Sequence, residues 1–129
     1  MIMTQEEKEL LLKDVCSRLP YGVKFKHEDK HTLCEILSIT PIYDYENVIY
    51  FNDYINHPKK CNIDDVKPYL FPMSSMSEEQ NHEFLSTCNC YCGYYWTEET
   101  FDWLNAHHFD YRRLIPIGLA IDATGLNIY

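Results

Sequence analysis

Glycine is scarce in this chain, and so are long apolar runs and runs of positive charge. Four glycines in 129 residues leave little room for a glycine-rich phosphate loop, and no Ser, Cys or Thr nucleophile motif is present. No apolar run approaches the ~20 residues that a membrane-spanning helix needs. Eleven Lys and Arg residues stand against twenty Asp and Glu residues, for a net charge of −9. We therefore expect neither membrane association nor direct contact with nucleic acid.

The composition is that of an ordinary globular protein, with 46% hydrophobic and 24% charged residues. This length predicts a single domain over residues 1–129. The first residues lack the basic and apolar regions of a secretory signal, so we expect a cytoplasmic protein. Six cysteines are then expected to be free thiols, because disulfides are rare in a reducing compartment.

The chain changes character at residues 63–79, where Pro68 and Pro72 exclude a helix or a central strand but several apolar residues favour burial. We interpret this segment as a buried strap. Before it, apolar residues alternate with polar ones, which predicts a β part over 21–72; after it, helical patterns predict an α part over 77–118. The predicted fold class is α+β: a small twisted antiparallel sheet, with an SH3-like barrel as one option, packed with three to four helices.

Capping boxes mark two helix starts. Thr4 and Glu7 open an N-terminal helix predicted over residues 4–17, and Ser77 with Gln80 opens a second. In each box a hydroxyl and a carboxylate or amide accept hydrogen bonds from backbone N–H groups that the helix leaves unpaired.

Two further helix starts are predicted near the C-terminal end. Thr97 is expected to cap a third helix, with Trp96 packing on Phe101 as a hydrophobic staple. Asp110 is expected to cap a brief fourth helix within residues 111–117, followed by a last strand at 119–121.

Four stretches give the chain a recognisable pattern: EEKELLLKD (6–14), RLPYGV (18–23), VKPYLFPMSSM (66–76) and FDWLNAHHFDYR (101–112). In these stretches the chain resembles a group of small uncharacterised proteins of gut anaerobic bacteria, often encoded on phages or other mobile elements. The resemblance implies a bacterial or phage setting. It carries no activity, substrate or catalytic residue.

Cys88, Cys90 and Cys92 form the densest group of candidate metal ligands. On a strand, alternate side chains point to one face, so three thiols would stand in a row. His82, His107 or His108 could then complete a tetrahedral zinc site. Structural zinc sites usually have at least two residues between paired cysteines, which favours packed or half-exposed free thiols instead.

His107 and His108 are also candidates for acid/base chemistry, since histidine titrates near neutral pH. A histidine at a helix C-terminus equally satisfies free carbonyls and the helix dipole. A small zinc-binding or acid/base enzyme is therefore the alternative prediction, and the first prediction is a non-enzymatic protein.

Aromatic residues make up 15% of the chain, and Tyr alone accounts for 11 residues. Tyrosine combines apolar area with a polar group and is enriched in protein interfaces. We therefore predict a cytoplasmic interaction or regulatory module without a cofactor, whose partner has a basic face that matches the acidic chain. The sequence does not decide whether the chain forms a homodimer or whether its carboxylates mimic the phosphates of a nucleic acid. The predicted contact residues are Tyr43, Tyr45, Tyr54, Tyr91, Tyr94 and Tyr95.

Overall fold

A computed structural model of the chain describes residues 3–27, 33–41, 47–53, 58–89 and 95–129. It confirms the α+β class. The α-helices are α1 (Gln5–Arg18), α2 (Glu78–Thr87) and α3 (Glu98–Ala106). The strands are β1 (Lys24–His27), β2 (Leu33–Pro41), β3 (Asn47–Asp53), β4 (Pro58–Asn62), β5 (Val66–Leu70) and β6 (Ile121–Asp122). Short 3₁₀ turns lie at Leu19–Tyr21, Ile63–Asp65 and Met73–Ser75. Within the described ranges, no helix is both long and apolar enough to cross a bilayer.

The six strands form one sheet in the order β4-β3-β2-β1-β5-β6. Neighbouring strands are antiparallel except β5 and β6, which are parallel, so the sheet is mixed and the expectation of a purely antiparallel sheet was wrong. The SH3-like barrel was wrong too, because the sheet is open. Among the described residues β4 and β6 are the outer strands, so β5 lies between β1 and β6. The expectation that Pro68 excludes a central strand was therefore wrong. Pro68 pairs with Phe25 of β1, whereas β6 pairs with Tyr69 and Leu70, so the missing N–H of Pro68 costs β6 no hydrogen bond.

The sheet is nevertheless strongly curved. Strands β4 and β5 are separated by only the turn Ile63–Asp65, yet three strands lie between them in the sheet. Four Cα–Cα steps span at most about 15 Å, whereas four strand spacings in a flat sheet require about 19 Å. The sheet must therefore curl so that the ends of β4 and β5 approach each other, and α1 packs against its apolar face.

Both capping boxes are present. Glu7 N donates to Thr4 Oγ1 at 3.1 Å and Thr4 N donates to Glu7 Oε1 at 3.0 Å. The second box has the same two bonds, from Gln80 N to Ser77 Oγ at 3.1 Å and from Ser77 N to Gln80 Oε1 at 2.9 Å. Helix α1 therefore begins and ends within one residue of the predicted 4–17.

The third helix start is also confirmed. Thr100 N donates to Thr97 Oγ1 at 3.3 Å, and the rings of Trp96 and Phe101 meet edge to face with centroids 5.5 Å apart. This is the expected staple, joining the residue before the cap to the fourth residue of α3.

The predicted fourth helix was wrong, since residues 111–120 form turns. Asp110 still caps the segment, because its Oδ1 and Oδ2 accept from Leu114 N at 2.8 Å and Ile115 N at 2.9 Å. Arg113 has φ 59°, a left-handed conformation that a right-handed helix cannot contain. The last strand lies at Ile121–Asp122, slightly later than predicted.

Two groups of apolar side chains are packed separately. The sheet-side core lies between α1 and the sheet, and its members include Leu11, Val15, Phe25, Ile49, Phe51, Val66, Leu70 and Leu114. The helix-side core comprises Phe84, Leu104 and Phe109 with half-buried neighbours from α2, α3 and the strap. The strap joins the two: Leu70 belongs to the sheet-side core and the next residue, Phe71, packs on the helix-side core.

Candidate functional site

Of the six predicted contact tyrosines, the structure places one. Tyr95 is 60% exposed, and its backbone exchanges two hydrogen bonds with Asn89, at 2.9 and 2.8 Å. The other five, Tyr43, Tyr45, Tyr54, Tyr91 and Tyr94, lie outside the described residues. The Asn89–Tyr95 pair brings the end of α2 next to the residues that precede α3.

Cys88 is half-buried, and the structure gives it local partners. Its Sγ lies 3.5 Å from the carbonyl oxygen of Phe84, as in a weak thiol hydrogen bond, and 3.9 Å from Thr100 Oγ1. Cys90 and Cys92 lie outside the described residues. Among the residues that the structure describes, no three His, Cys, Asp or Glu side chains stand close enough together to hold a metal ion.

His107 and His108 have different neighbours. The ring of His107 stacks on Trp103 with centroids 4.1 Å apart, and its Nδ1 lies 2.8 Å from the Trp103 carbonyl oxygen, so it satisfies the C-terminus of α3. His108 has φ 62°, is buried, and stacks on Tyr129 at 3.6 Å. The structure therefore does not bring the two imidazoles to one shared set of partners.

His108 is held in its neutral form. Burial, followed by the charges of Arg18, Lys24 and His107, lowers the pKa of its imidazole to about 4. Its Nδ1 is buried without a hydrogen-bond partner among the described residues. The stacked Tyr129 bridges two strands: its hydroxyl donates to Tyr69 O at 2.9 Å and accepts from Lys24 N at 3.2 Å. Burial raises the pKa of Tyr129 to about 12, so this hydroxyl keeps its proton.

A buried ion cluster connects α1 to the segment after α3. The fully buried carboxylate of Asp14 accepts from Arg18 Nε at 2.9 Å and Nη2 at 3.1 Å, and from Arg112 Nη1 at 2.9 Å. Arg18 Nη2 also donates to the carbonyl oxygen of Phe109 at 2.6 Å. One carboxylate thus serves two guanidinium groups, and the cluster keeps a net charge of +1.

The ring of Tyr111 lies against both guanidinium groups. Its centroid is 5.1 Å from the guanidinium carbon of Arg18 and 4.6 Å from that of Arg112. Arg18 Nη1 is buried without an acceptor among the described residues, and the aromatic face offers it a partial substitute. The Tyr111 hydroxyl donates to Asn105 Oδ1 at 2.9 Å, which fixes the ring against α3.

Three aromatic rings meet beside this cluster, and we call Trp96, Phe101 and Tyr111 the aromatic triangle. Its three edges measure 5.5 Å (Trp96–Phe101), 6.2 Å (Trp96–Tyr111) and 5.5 Å (Phe101–Tyr111) between centroids, and each pair is edge to face. Trp96 remains 41% exposed and Phe101 39% exposed. The triangle is a fixed, partly solvent-facing apolar surface.

Two grooves border the triangle. The strap groove, of about 540 Å³, lies between Trp96 and Tyr111 on one side and Pro72, Met73 and Ile115 on the other, with Arg113 also in its lining. The α1 groove, of about 550 Å³, is lined by all three triangle residues and by Lys13, Ser17, Asn105 and Arg112. Volumes of this size accommodate several side chains of a bound segment.

No family model, curated protein or solved structure matches this chain.

Sequence reasoning identified Trp96 and Phe101 as a staple but did not identify Phe101 as part of an exposed surface. Tyr111 and Arg112 were outside the predicted contact set, although they complete the triangle and line the α1 groove. The local sequence pattern at this surface is one aromatic residue followed by two arginines. That pattern does not indicate an ordered cationic site, because Arg112 is held by Asp14, which lies 98 residues earlier in the chain.

Proposed function

We propose that this chain is a non-enzymatic, cytoplasmic protein–protein interaction module of a bacterium or its mobile DNA, and that its contact surface is the aromatic triangle. The observation that carries the proposal is the exposure of Trp96 and Phe101 in fixed edge contact with Tyr111, between two grooves. Rigid aromatic anchors beside grooves are typical of the residues that dominate binding energy in protein interfaces.

The bacterial or phage setting is the one that the sequence resemblance implies. The expected basic face of the partner follows from the net charge of −9. Exposed carboxylates near the triangle are available for it, since Glu98 and Glu99 form the first turn of α3. The zinc or acid/base enzyme has no supporting observation among the described residues, because His107 and His108 have separate partners.

Site-specific photo-crosslinking tests the proposal. A benzophenone amino acid replaces Phe101 in one variant and Leu37, which is 52% exposed on β2, in a matched control. After irradiation in a lysate of cells that express the chain, we expect a discrete adduct from position 101 and none from position 37. Its yield should fall at high salt, because charge contributes to the encounter.

A second substitution ties the adduct to the triangle. Trp96→Leu keeps an apolar contact with Phe101 but removes the exposed indole, and we expect it to reduce the adduct at position 101 several-fold. Equal adduct yields from positions 37 and 101 would contradict the proposal. So would an adduct at position 101 whose yield Trp96→Leu does not change.

A further inference from the structure

We infer that the α1 groove binds a carboxylate of the partner, held by Arg112 and Lys13, while an apolar side chain next to it packs on the aromatic triangle. The occupant is thus a short acidic segment with an apolar or aromatic anchor, carried by a partner whose surface around that segment is basic. This inference rests on the proposed function and specifies the chemistry of the partner at that surface.

The charged side chains that line the α1 groove are all cationic. Its lining includes the cationic side chains of Lys13 and Arg112 and no carboxylate. Asp14, the carboxylate that bonds to Arg112, is fully buried and already shared by two guanidinium groups. A chain with net charge −9 therefore has a local positive site here, which favours an anionic group.

The two cationic side chains of the groove have hydrogen-bond donors to spare. Arg112 has five N–H donors, and two of them bond to Asp14 Oδ1 and Ser17 Oγ within the described residues. The ammonium of Lys13 has neither a hydrogen bond nor an ion pair in that part of the chain, and the residue is exposed. Donors therefore remain for a carboxylate, which accepts charge-assisted hydrogen bonds readily.

The side chain of Arg112 is held in place by several neighbours. Asp14, Ser17 and the face of Tyr111 together hold its guanidinium in one orientation, although its side chain remains 17% exposed. A guanidinium that is already ordered loses little conformational entropy when it binds an acidic group. The neighbouring triangle supplies the apolar contact that a lone carboxylate would lack.

A protein segment fits this site better than a nucleic acid does. A nucleic acid presents a long row of phosphates and requires many cations, whereas the α1 groove is lined by two. The remaining acidic surface would repel a polyanion over its whole length. A segment with one or two carboxylates needs only the local charge.

The test is a titration of ¹⁵N-labelled protein, followed by NMR, with an acetylated, amidated peptide of the sequence Ser-Glu-Leu-Phe-Glu-Ser, which carries two carboxylates. The chain has two tryptophans, so its two indole N–H signals separate the site from its surroundings. Trp96 lines the groove, whereas Trp103 packs in the helix-side core. We expect the Trp96 signal to shift progressively and the Trp103 signal to move much less.

Matched variants test the charge. Lys13→Gln removes one exposed cation of the groove and leaves the buried ion cluster intact, and we expect it to weaken peptide binding about three- to tenfold. Lys67→Gln makes the same change at an exposed position of β5 that lines neither groove, and it should leave the affinity unchanged.

Several outcomes would overturn the inference. One is that a peptide in which Gln replaces every Glu binds as tightly as the acidic peptide. Another is that Lys13→Gln and Lys67→Gln weaken peptide binding equally. A third is that the Trp96 signal does not shift at millimolar peptide. An equal shift of Trp96 with a dodecamer of thymidylate would assign the groove to phosphates instead. If the crosslink at position 101 succeeds while these tests fail, the proposed function stands and the carboxylate site is wrong. If the crosslink also fails, the proposed function is wrong as well.

Discussion

The two cores of this molecule differ in how much apolar surface stays exposed at their edges. In the sheet-side core, α1 covers a curved sheet, and Leu11, Phe25 and Phe51 are almost completely inaccessible. In the helix-side core, the short helices α2 and α3 pack side by side, and Trp96 and Phe101 at the edge stay about two-fifths exposed. A helix on a sheet encloses its interface, whereas two helices of about three turns cannot enclose so many large rings. The part that stabilises the fold is therefore distinct from the part that offers a surface.

The largest expected effect comes from breaking the ion cluster. Asp14→Ala leaves the buried guanidinium of Arg18 without its carboxylate, and we expect it to lower the free energy of unfolding by about 3 to 5 kcal/mol. Chemical denaturation measures the change. Asp64→Ala, which removes an exposed partner 3.4 Å from Lys8, is the control and should cost less than about 1 kcal/mol. Similar losses in both variants would mean that Asp14 has no special role.

A paired truncation tests the contrast between the cores directly. Phe51→Ala removes a fully buried ring that meets Phe25 edge to face at 5.2 Å, so it should destabilise the protein by about 3 kcal/mol or more. Phe101→Ala removes a ring that is partly in solvent and should cost about 1 kcal/mol, while it weakens the peptide binding that the Trp96 indole signal follows. Thermal unfolding and the peptide titration check the two effects. Equal destabilisation would show that the triangle serves mainly as core.

The smallest expected effect concerns pH. The pKa of His108 is about 4 in the folded protein against an ordinary 6.5, so the unfolded chain binds more protons between these values. The free energy of unfolding should therefore be fully present above about pH 7 and fall as pH drops from 6.5 towards 4. Asparagine tolerates the positive φ at this position, so His108→Asn should flatten this slope, which amounts to about 2 kcal/mol between about pH 7 and about pH 5.

The control for the pH experiment is His82→Asn, because His82 is exposed on α2. Denaturation curves at a series of pH values should show the wild-type slope in this variant. If the free energy of unfolding falls with pH as steeply in His108→Asn as in the wild type, groups other than His108 cause the loss of stability in acid.

Much of the local structure was predictable from the sequence, and the candidate site was less so. The caps at Thr4, Ser77 and Thr97 were identified correctly, because each is completed by atoms three residues away. The helix after Asp110 was predicted wrongly, since the capping aspartate is present but Arg113 takes a left-handed conformation. A cap shows where a helix can begin and does not ensure that the following residues continue it.

By itself, the sequence determined the α+β class, the helix starts, the staple of Trp96 on Phe101 and the burial of the strap around Leu70. Those features depend on apolar patterns and on contacts within a few residues. Only the tertiary structure decided that β6 pairs parallel with β5 and that Asp14 meets Arg112 beside the aromatic triangle. Such contacts join segments some 50 to 100 residues apart. Their partners are selected by the topology of the whole chain, which no short stretch of sequence specifies.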